Sequence, residues 1–312
     1  MNQQPLKAFF SILFGGLFFI IVGVGLFTLG ITVWGKIEHD KITSPFSAGS
    51  SISNDVPRYS ATDEEDVINA AAQSLPHNQS KGITANAYIV KDITNGTVIS
   101  EKYSYKLVPI ASLTKLVTAI VARKLISDSA HITITKRVMQ TYGNTASFKD
   151  GEVISAGDLL YPLLMVSSND AAEAYAQYYG RTKFIQAMND FTQSIGAYRT
   201  YFTDPSGLDP KNVSTASDLV LILDWINMND STILATTELK TKAIRNHTWV
   251  NPTHFLSWSN YIGGKNGYLP ESNRTNASLF KWGSKGDIYA VIVLGSSERD
   301  ADTIALLKKI GN

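Results

Sequence analysis

The 312-residue sequence predicts an α+β fold, an antiparallel sheet built from both ends of the globular region around a helical middle, behind one N-terminal transmembrane helix. Three observations lead there. A run from Ala8 to Gly35 has no ionisable side chain. Strand-like alternation with a turn at Asn95-Gly96 stands early in the remainder, and three strand-like runs stand late. Between them apolar residues recur at helical spacing, several times behind a capping residue.

Residues 1–7 are a short N-terminal tail. Residues 8–35, as a helix rising ~1.5 Å per residue, reach about 40 Å and cross a bilayer core of about 30 Å. The run is longer than the apolar core of a cleaved signal and ends in Thr32-Val33-Trp34-Gly35-Lys36, with Trp34 suited to an interface, so it reads as an uncleaved signal anchor. Lys7 lies before the span and Lys36 and Lys41 after it, so counting positive charges leaves orientation open. Gly30 to Lys36 has the spacing of a phosphate-binding loop, but Ile37 stands where a magnesium-binding hydroxyl belongs and no strand precedes it. Residues 36–81 read as a linker rich in Ser, Asp, Asn and Pro. Within it, Thr62-Asp63-Glu64-Glu65 caps a short helical stretch, Val67 to Ala72.

Residues 82–312 are the catalytic candidate. Ala85 to Glu101 reads as a hairpin. Leu113, Leu116, Val117, Ile120, Val121 and Leu125 mark a helix between Ser112 and Ser127. Ser155 caps Leu159 to Val166, and Thr215 caps Leu219 to Ile226. Ala171 to Tyr179 and Phe184 to Ile195 are further helices. Strands follow at Phe255–Ile262, Ser278–Trp282 and Ile288–Leu294, and a last helix runs from about Thr303 to Ile310 with Asp302 as N-cap.

Composition narrows the chemistry. With 28 Lys plus Arg against 27 Asp plus Glu the net charge is +1, which argues against nucleic acid as partner. There is no cysteine, so thiolate catalysis, disulfides and cysteine zinc sites are excluded. Five scattered histidines lack paired-ligand spacing, so no metal or other cofactor is expected.

Three short motifs remain. Ser112-Leu113-Thr114-Lys115 opens a helix, which brings the hydroxyl and the amine to one face. A helix N-terminus favours a developing oxyanion, and a lysine becomes a base when burial or a second cation depresses its pKa. A helix cap is the competing reading for Ser112. A second copy, Ser278-Leu279-Phe280-Lys281, lies in a strand, where its two ends face opposite sides. Ser167-Ser168-Asn169 sits between two helices, where a hydroxyl and a carboxamide can relay a proton and hold an amide, or simply cap the second helix. Lys265-Asn266-Gly267 is either a hairpin turn or a strand edge whose lysine faces a cleft.

In that order, Ser-x-x-Lys, Ser-x-Asn and Lys-x-Gly are the three boxes of serine penicillin-recognising enzymes. Ile110 to Ala119, Leu159 to Ala172, Asp204 to Asp209 and Ser214 to Leu219 resemble the D-alanyl-D-alanine carboxypeptidases, the low-molecular-mass penicillin-binding proteins. The resemblance runs from about Ala85 to the C-terminus and implies a β-lactamase/D,D-peptidase-like fold. It implies acyl transfer on D-Ala-D-Ala stem peptides of peptidoglycan, with β-lactams as covalent inhibitors, in a single-pass protein of the cell membrane whose catalytic domain is extracytoplasmic. By match, Ser112 is the nucleophile and Lys115 its base, Ser167 the proton shuttle, Asn169 the amide binder and Lys265 the cation that keeps Lys115 neutral and attracts the terminal carboxylate. By the same match, backbone N–H groups of Ser112 and Tyr268 form the oxyanion hole and Asn266 and Gly267 line the substrate strand; Arg299, in the loop after the last strand, is either the family's carboxylate-binding arginine or a solvated surface arginine. Asn266 replaces the family's usual Thr, and Ser168 its common Gly. The readings are a D,D-carboxypeptidase, a D,D-endopeptidase, or a catalytically weak homologue that binds cell-wall peptide; a β-lactamase lacks its Glu-x-x-Leu-Asn segment here.

Overall fold

The computed structural model describes residues 82–282 and 286–311. The span expected at 8–35 and the linker at 36–81, with its short helix, lie outside them. Among the described residues no helix is long and apolar enough to cross a membrane.

Five antiparallel strands form the main sheet. They are β1 (Ala87–Asp92), β2 (Val98–Lys102), β9 (Tyr261–Leu269), β10 (Asn273–Trp282) and β11 (Asp287–Ser296), in the order β2-β1-β11-β10-β9. Both ends of the domain therefore meet in the middle of one sheet, with Ala87 opposite Leu294 and Asp92 opposite Tyr289. The β1–β2 turn is held by Asp92, whose carboxylate accepts from the Thr94 and Asn95 N–H groups and the Asn95 amide. The other strands, β3 (Val108–Pro109) with β6 (Val213–Ser214), β4 (His131–Thr133) with β5 (Val153–Ser155) and β7 (Thr241–Ile244) with β8 (His247–Val250), pair two by two.

Alternation sorts the sheet's faces. Tyr88, Val90, Val291, Val293 and Phe280 are buried against α8 (Arg299–Leu307) through Leu306 and Leu307. The opposite face carries Ile89, Ala277, Leu279 and Ile292, all 3% exposed or less, and α6 (Ala216–Asn229) crosses it. Between β3 and β6 lie α1 (Thr114–Leu125), α2 (Lys136–Met139), α3 (Ala156–Met165), α4 (Asn169–Tyr179) and α5 (Arg181–Ser194); α7 (Ser231–Glu238) follows α6 and packs on β9. Helix α1 is buried along most of its length, which fits its apolar spacing. Ser155 and Thr215 cap α3 and α6 as their sequences imply, accepting from the Asp158 and Asp218 N–H groups at 3.1 and 3.0 Å.

Two segments depart from expectation. Phe255 to Ser257 is not strand but part of a 3₁₀ turn, His254–Ser257, and β9 starts only at Tyr261. Aromatics at intervals of three, Phe255, Trp258 and Tyr261, fold onto Phe280, a packing that extended chain would not allow. The last helix starts at Arg299, before Thr303, and a 3₁₀ turn replaces its expected end. Asp302 is not its N-cap. It is 1% exposed, and accepts from the Thr84 N–H and hydroxyl at 2.8 and 2.7 Å and from the Ser296 hydroxyl at 2.6 Å, tying the start of the domain to the end of β11.

Candidate active site

The Ser112 segment enters as a 3₁₀ turn, Ala111–Leu113, that runs directly into α1. The capping alternative for Ser112 fails, because α1 has no side-chain cap at its start. The hydroxyl turns to Lys115 instead, whose Nζ lies 3.1 Å from Ser112 Oγ. Lys115 is wholly buried. The same Nζ donates to Asn169 Oδ1 at 2.7 Å and to the Ser206 carbonyl at 2.5 Å. Burial first, and then the charge of Lys265, hold its pKa well below the usual lysine range, with Asp204 opposing.

Asn169 is the first residue of α4, and Ser168 caps that helix, its Oγ accepting from the Ala171 N–H at 3.1 Å. The bland and the functional readings of Ser167-Ser168-Asn169 are thus divided between neighbours. Asn169 Nδ2 donates to the Tyr142 carbonyl at 2.7 Å, which fixes the amide orientation towards Lys115. Ser167 stands in the reversal between α3 and α4 at φ +57°, with the Ser168 N–H donating to the Pro162 carbonyl at 2.9 Å. Its hydroxyl makes no hydrogen bond to Ser112 or Lys115. Ala111, beside Ser112, is also left-handed at φ +51°. Non-glycine residues there cost of order 1–3 kcal/mol each, strain that the surrounding structure must hold.

Lys265, Asn266 and Gly267 lie within β9, opposite Ala277, Asn276 and Thr275, so Asn266-Gly267 is not a hairpin turn. A Cβ on Gly267 would stand 2.9 Å from the Ser112 nitrogen, which shows how closely this strand edge passes the Ser112 N–H. Thr275 reinforces the approach by donating to the Ile110 carbonyl at 3.2 Å. Lys265 is 6% exposed and donates to the Asn266 carbonyl at 2.9 Å. Burial, then the charge of Arg299, lower its pKa to about 7. Tyr268 is 60% exposed at the strand's outer face. Arg299 is the first residue of α8, not a loop residue, and its Nε donates to Asp300 Oδ1 at 2.8 Å. The second Ser-x-x-Lys copy splits as strand geometry requires, Ser278 buried and Lys281 exposed.

Sequence motifs alone assigned no role to the segment that positions Lys115 from below. Asp204 accepts from the Ser206 N–H and hydroxyl, the Gly207 N–H and the Asp209 N–H, all within 2.8 Å. Asn212 clamps the same loop, accepting from the Asp204 N–H and donating to Thr114 Oγ1. The readable signal is Asp-Pro-Ser-Gly, an Asp able to accept from the next backbone N–H groups. Among the described residues no group of three or more His, Asp or Glu side chains is arranged to hold a metal ion.

A serine hydroxyl at a helix start, a buried lysine beside it and a second buried lysine on a strand edge form the arrangement of a serine hydrolase. The model of a family described as D-alanyl-D-alanine carboxypeptidase matches residues 72–293. The chain is 30% identical over 240 residues to a D-alanyl-D-alanine endopeptidase of Haemophilus influenzae, covering 73% of this chain and 82% of that one. The crystal structure of a D-alanyl-D-alanine carboxypeptidase from Mycobacterium tuberculosis superposes with a TM-score of 0.68 at 27% identity, over 77% of this chain and 94% of that one. Penicillin-binding protein D2 of Listeria monocytogenes, in its cefotaxime-bound form, gives 0.66 at 26% identity, over 76% and 100%. The chain belongs to the D-alanyl-D-alanine carboxypeptidase family and is a serine-type hydrolase of that family.

Proposed function

We propose that the protein removes the terminal D-alanine from D-Ala-D-Ala stem peptides of peptidoglycan through an acyl-enzyme on Ser112, held at the outer face of the cell membrane by the span at residues 8–35. The observation that carries this is the 3.1 Å contact between Ser112 Oγ and the wholly buried Lys115 Nζ.

Lys115 in its neutral form takes the Ser112 proton as Oγ attacks the carbonyl of the penultimate D-Ala. The Ser112 and Tyr268 N–H groups receive the oxyanion. Ser167 passes the proton to the departing D-Ala nitrogen as the C–N bond breaks, and water then hydrolyses the ester. Lys265, while protonated, attracts the terminal carboxylate, and Arg299 adds to that field. The second N–H of the Asn169 amide meets the substrate backbone, and Asn266 and Gly267 present the strand edge to it. A β-lactam acylates the same oxygen, but its leaving nitrogen stays tethered; the cefotaxime-bound form of the Listeria protein supports this reading.

The test is turnover by the full chain in detergent. Incubation with a D-Ala-D-Ala pentapeptide releases D-alanine by mass spectrometry, and labelled penicillin marks Ser112. A Ser112→Ala protein that still labels covalently overturns the assignment of the nucleophile. A D,D-endopeptidase is the second reading, favoured by the name of the Haemophilus relative. Cleavage of cross-linked muropeptide dimers faster than of pentapeptide would select it.

A further inference from the structure

The segment between α2 and β5, residues 140–152, lies over the surface with two side chains turned inwards. Ala146 and Phe148 are buried, and every other residue of the segment is partly or fully exposed. Both meet the β7–β8 hairpin. The Trp249 indole Nε1 donates to the Ala146 carbonyl at 3.2 Å. The Phe148 ring stands edge-on to His247 and to Trp249, with centroids 5.5 and 6.3 Å apart, and His247 stacks on Trp249 at 5.4 Å. Glu152 closes the contact at the far end of the segment. Its Oε1 lies 2.5 Å from His247 Nε2, and its Oε2 accepts from the Lys149 N–H at 3.1 Å.

The near end of the same segment reaches the site around Ser112. The Tyr142 carbonyl accepts from Asn169 Nδ2 at 2.7 Å, Asn169 Oδ1 accepts from Lys115 Nζ at 2.7 Å, and Nζ lies 3.1 Å from Ser112 Oγ. Gly143 passes so close that a Cβ on it would stand 3.4 Å from Asn169 Nδ2. Among the described residues, the Trp249 indole and the Asn169 amide make the only hydrogen bonds that reach residues 142–148 from outside the segment. The place of the Tyr142 carbonyl is therefore set by how the hairpin holds Ala146, Phe148 and Glu152. The hairpin is itself fixed from the β9 side. Asn251, just after β8, donates its Nδ2 to the Thr237 carbonyl at 2.9 Å, and the Thr237 hydroxyl accepts from the Gly264 N–H at 3.0 Å, one residue before Lys265.

We propose that His247, Glu152 and Trp249 are positioning residues for this reaction: through the 140–152 segment they hold the Tyr142 carbonyl on Asn169, and so keep the Asn169 oxygen, not its NH2 group, on Lys115. Neutral Lys115 has two N–H groups and one lone pair. The Asn169 oxygen and the Ser206 carbonyl take the N–H groups, which leaves the lone pair for the Ser112 proton. An amide turned end for end donates to that lone pair instead and blocks the base. The inference rests on the acyl-transfer reading above and adds how its base is kept available.

The variants are His247→Ala and His247→Gln, the second with an amide N–H that still reaches Glu152, made in the full chain in detergent and again in an Asn169→Ala background. The second-order rate of acylation by fluorescent penicillin falls about tenfold in His247→Ala, the worth of one lost hydrogen bond, and returns to within about twofold of the unmutated rate in His247→Gln. In the Asn169→Ala background the change at His247 costs less than about twofold, because its route to Ser112 is already cut. Hydrogen exchange read by mass spectrometry is faster over residues 141–150 in His247→Ala and unchanged over β11. An equal loss of rate in both backgrounds, or faster exchange across the whole domain, shows a general structural role and overturns the proposal. Exchange also separates the clamp from the reaction it serves. Faster exchange confined to 141–150, in a protein whose unmutated form takes no label, keeps the clamp and sinks the Ser112 reading. Labelling of the unmutated protein, with rate and exchange both unchanged in His247→Ala, keeps that reading and sinks the clamp.

Discussion

Replacing Gly207 by alanine tests how the Asp204 loop and the Ser112 turn support each other. Gly207 has φ +83°, and a Cβ there would stand 2.0 Å from the Ala111 carbonyl oxygen, 2.4 Å from its carbon and 2.9 Å from Thr114 Oγ1. Two of those atoms are backbone next to Ser112, and Ala111 is itself left-handed, so the turn has little freedom to yield. The left-handed conformation alone costs an alanine about 1–2 kcal/mol. Relief of the clash needs a backbone shift of about 1 Å, which brings the total into the roughly 3–5 kcal/mol range of severe substitutions. For a domain of this size that is a fall in Tm of roughly 6–20 °C. A shift of about 1 Å at the reacting oxygen costs on the order of 100-fold in rate. Gly96→Ala is the control, because Gly96 has nearly the same φ, +84°, with nothing within 4 Å of its Cβ position. Scanning fluorimetry and the second-order rate of acylation by fluorescent penicillin report both effects. Equal losses of stability in the two variants, with the acylation rate of Gly207→Ala unchanged, would refute the account of the loop as a brace for Ser112.

Three further outcomes follow from the same geometry. Asp302→Ala removes an acceptor of three hydrogen bonds and strands Thr84 and Ser296, so stability falls by about 3 kcal/mol and Tm by roughly 6–12 °C, while penicillin acylation per folded molecule is unchanged. The pH profile of kcat/KM is a bell: its acid limb rises as Lys115 loses a proton and its alkaline limb falls near pH about 7 as Lys265 does, and an alkaline limb above pH 9 would exclude Lys265 as the carboxylate-binding cation. Asn266→Thr speeds penicillin acylation about two- to tenfold, since the Asn266 carboxamide makes no hydrogen bond among the described residues and a longer side chain must be ordered in the transition state; a slower variant shows that the carboxamide is itself used.

The side chains that meet around Ser112 were legible because each motif joins a side chain to a local spacing that a helix or strand converts into direction. Ser112 and Lys115 need only one helical turn to meet, and Ser168 caps α4 by the same local rule. What brings Asn169 and Lys265 to them is long-range packing, and the sequence supports it only through the order of the boxes and the family resemblance. Asn266-Gly267 illustrates the limit, since local turn preference and strand pairing compete there and the β10 register wins. The left-handed Ala111 and Ser167 leave no trace in composition, because neither is a residue that prefers φ above zero. Arg299 lies in α8 rather than in a loop for a similar reason: Ser296 Oγ and Thr84 Oγ1 accept the Glu298 N–H, and α8 starts ahead of the expected cap.

The net charge of +1 conceals where the protein bears electrostatic cost. Burial lowers the pKa of both Lys115 and Lys265, and a neighbouring cation lowers each further, Lys265 beside Lys115 and Arg299 beside Lys265. A lysine whose folded pKa lies below its unfolded value destabilises the native state wherever the unfolded side chain is protonated, and this cost fades only as pH climbs from about 7 towards ~10.4. Lys265→Met therefore raises Tm at pH 6 to 7 and gains progressively less towards pH 10, while recognition of the substrate carboxylate is lost. A structural lysine would behave in the opposite way, with Tm falling at every pH on its removal. The three cations are then a costly arrangement, and the same field that disfavours the fold lowers the pKa of Lys115 beside Ser112, as the proposed base role requires.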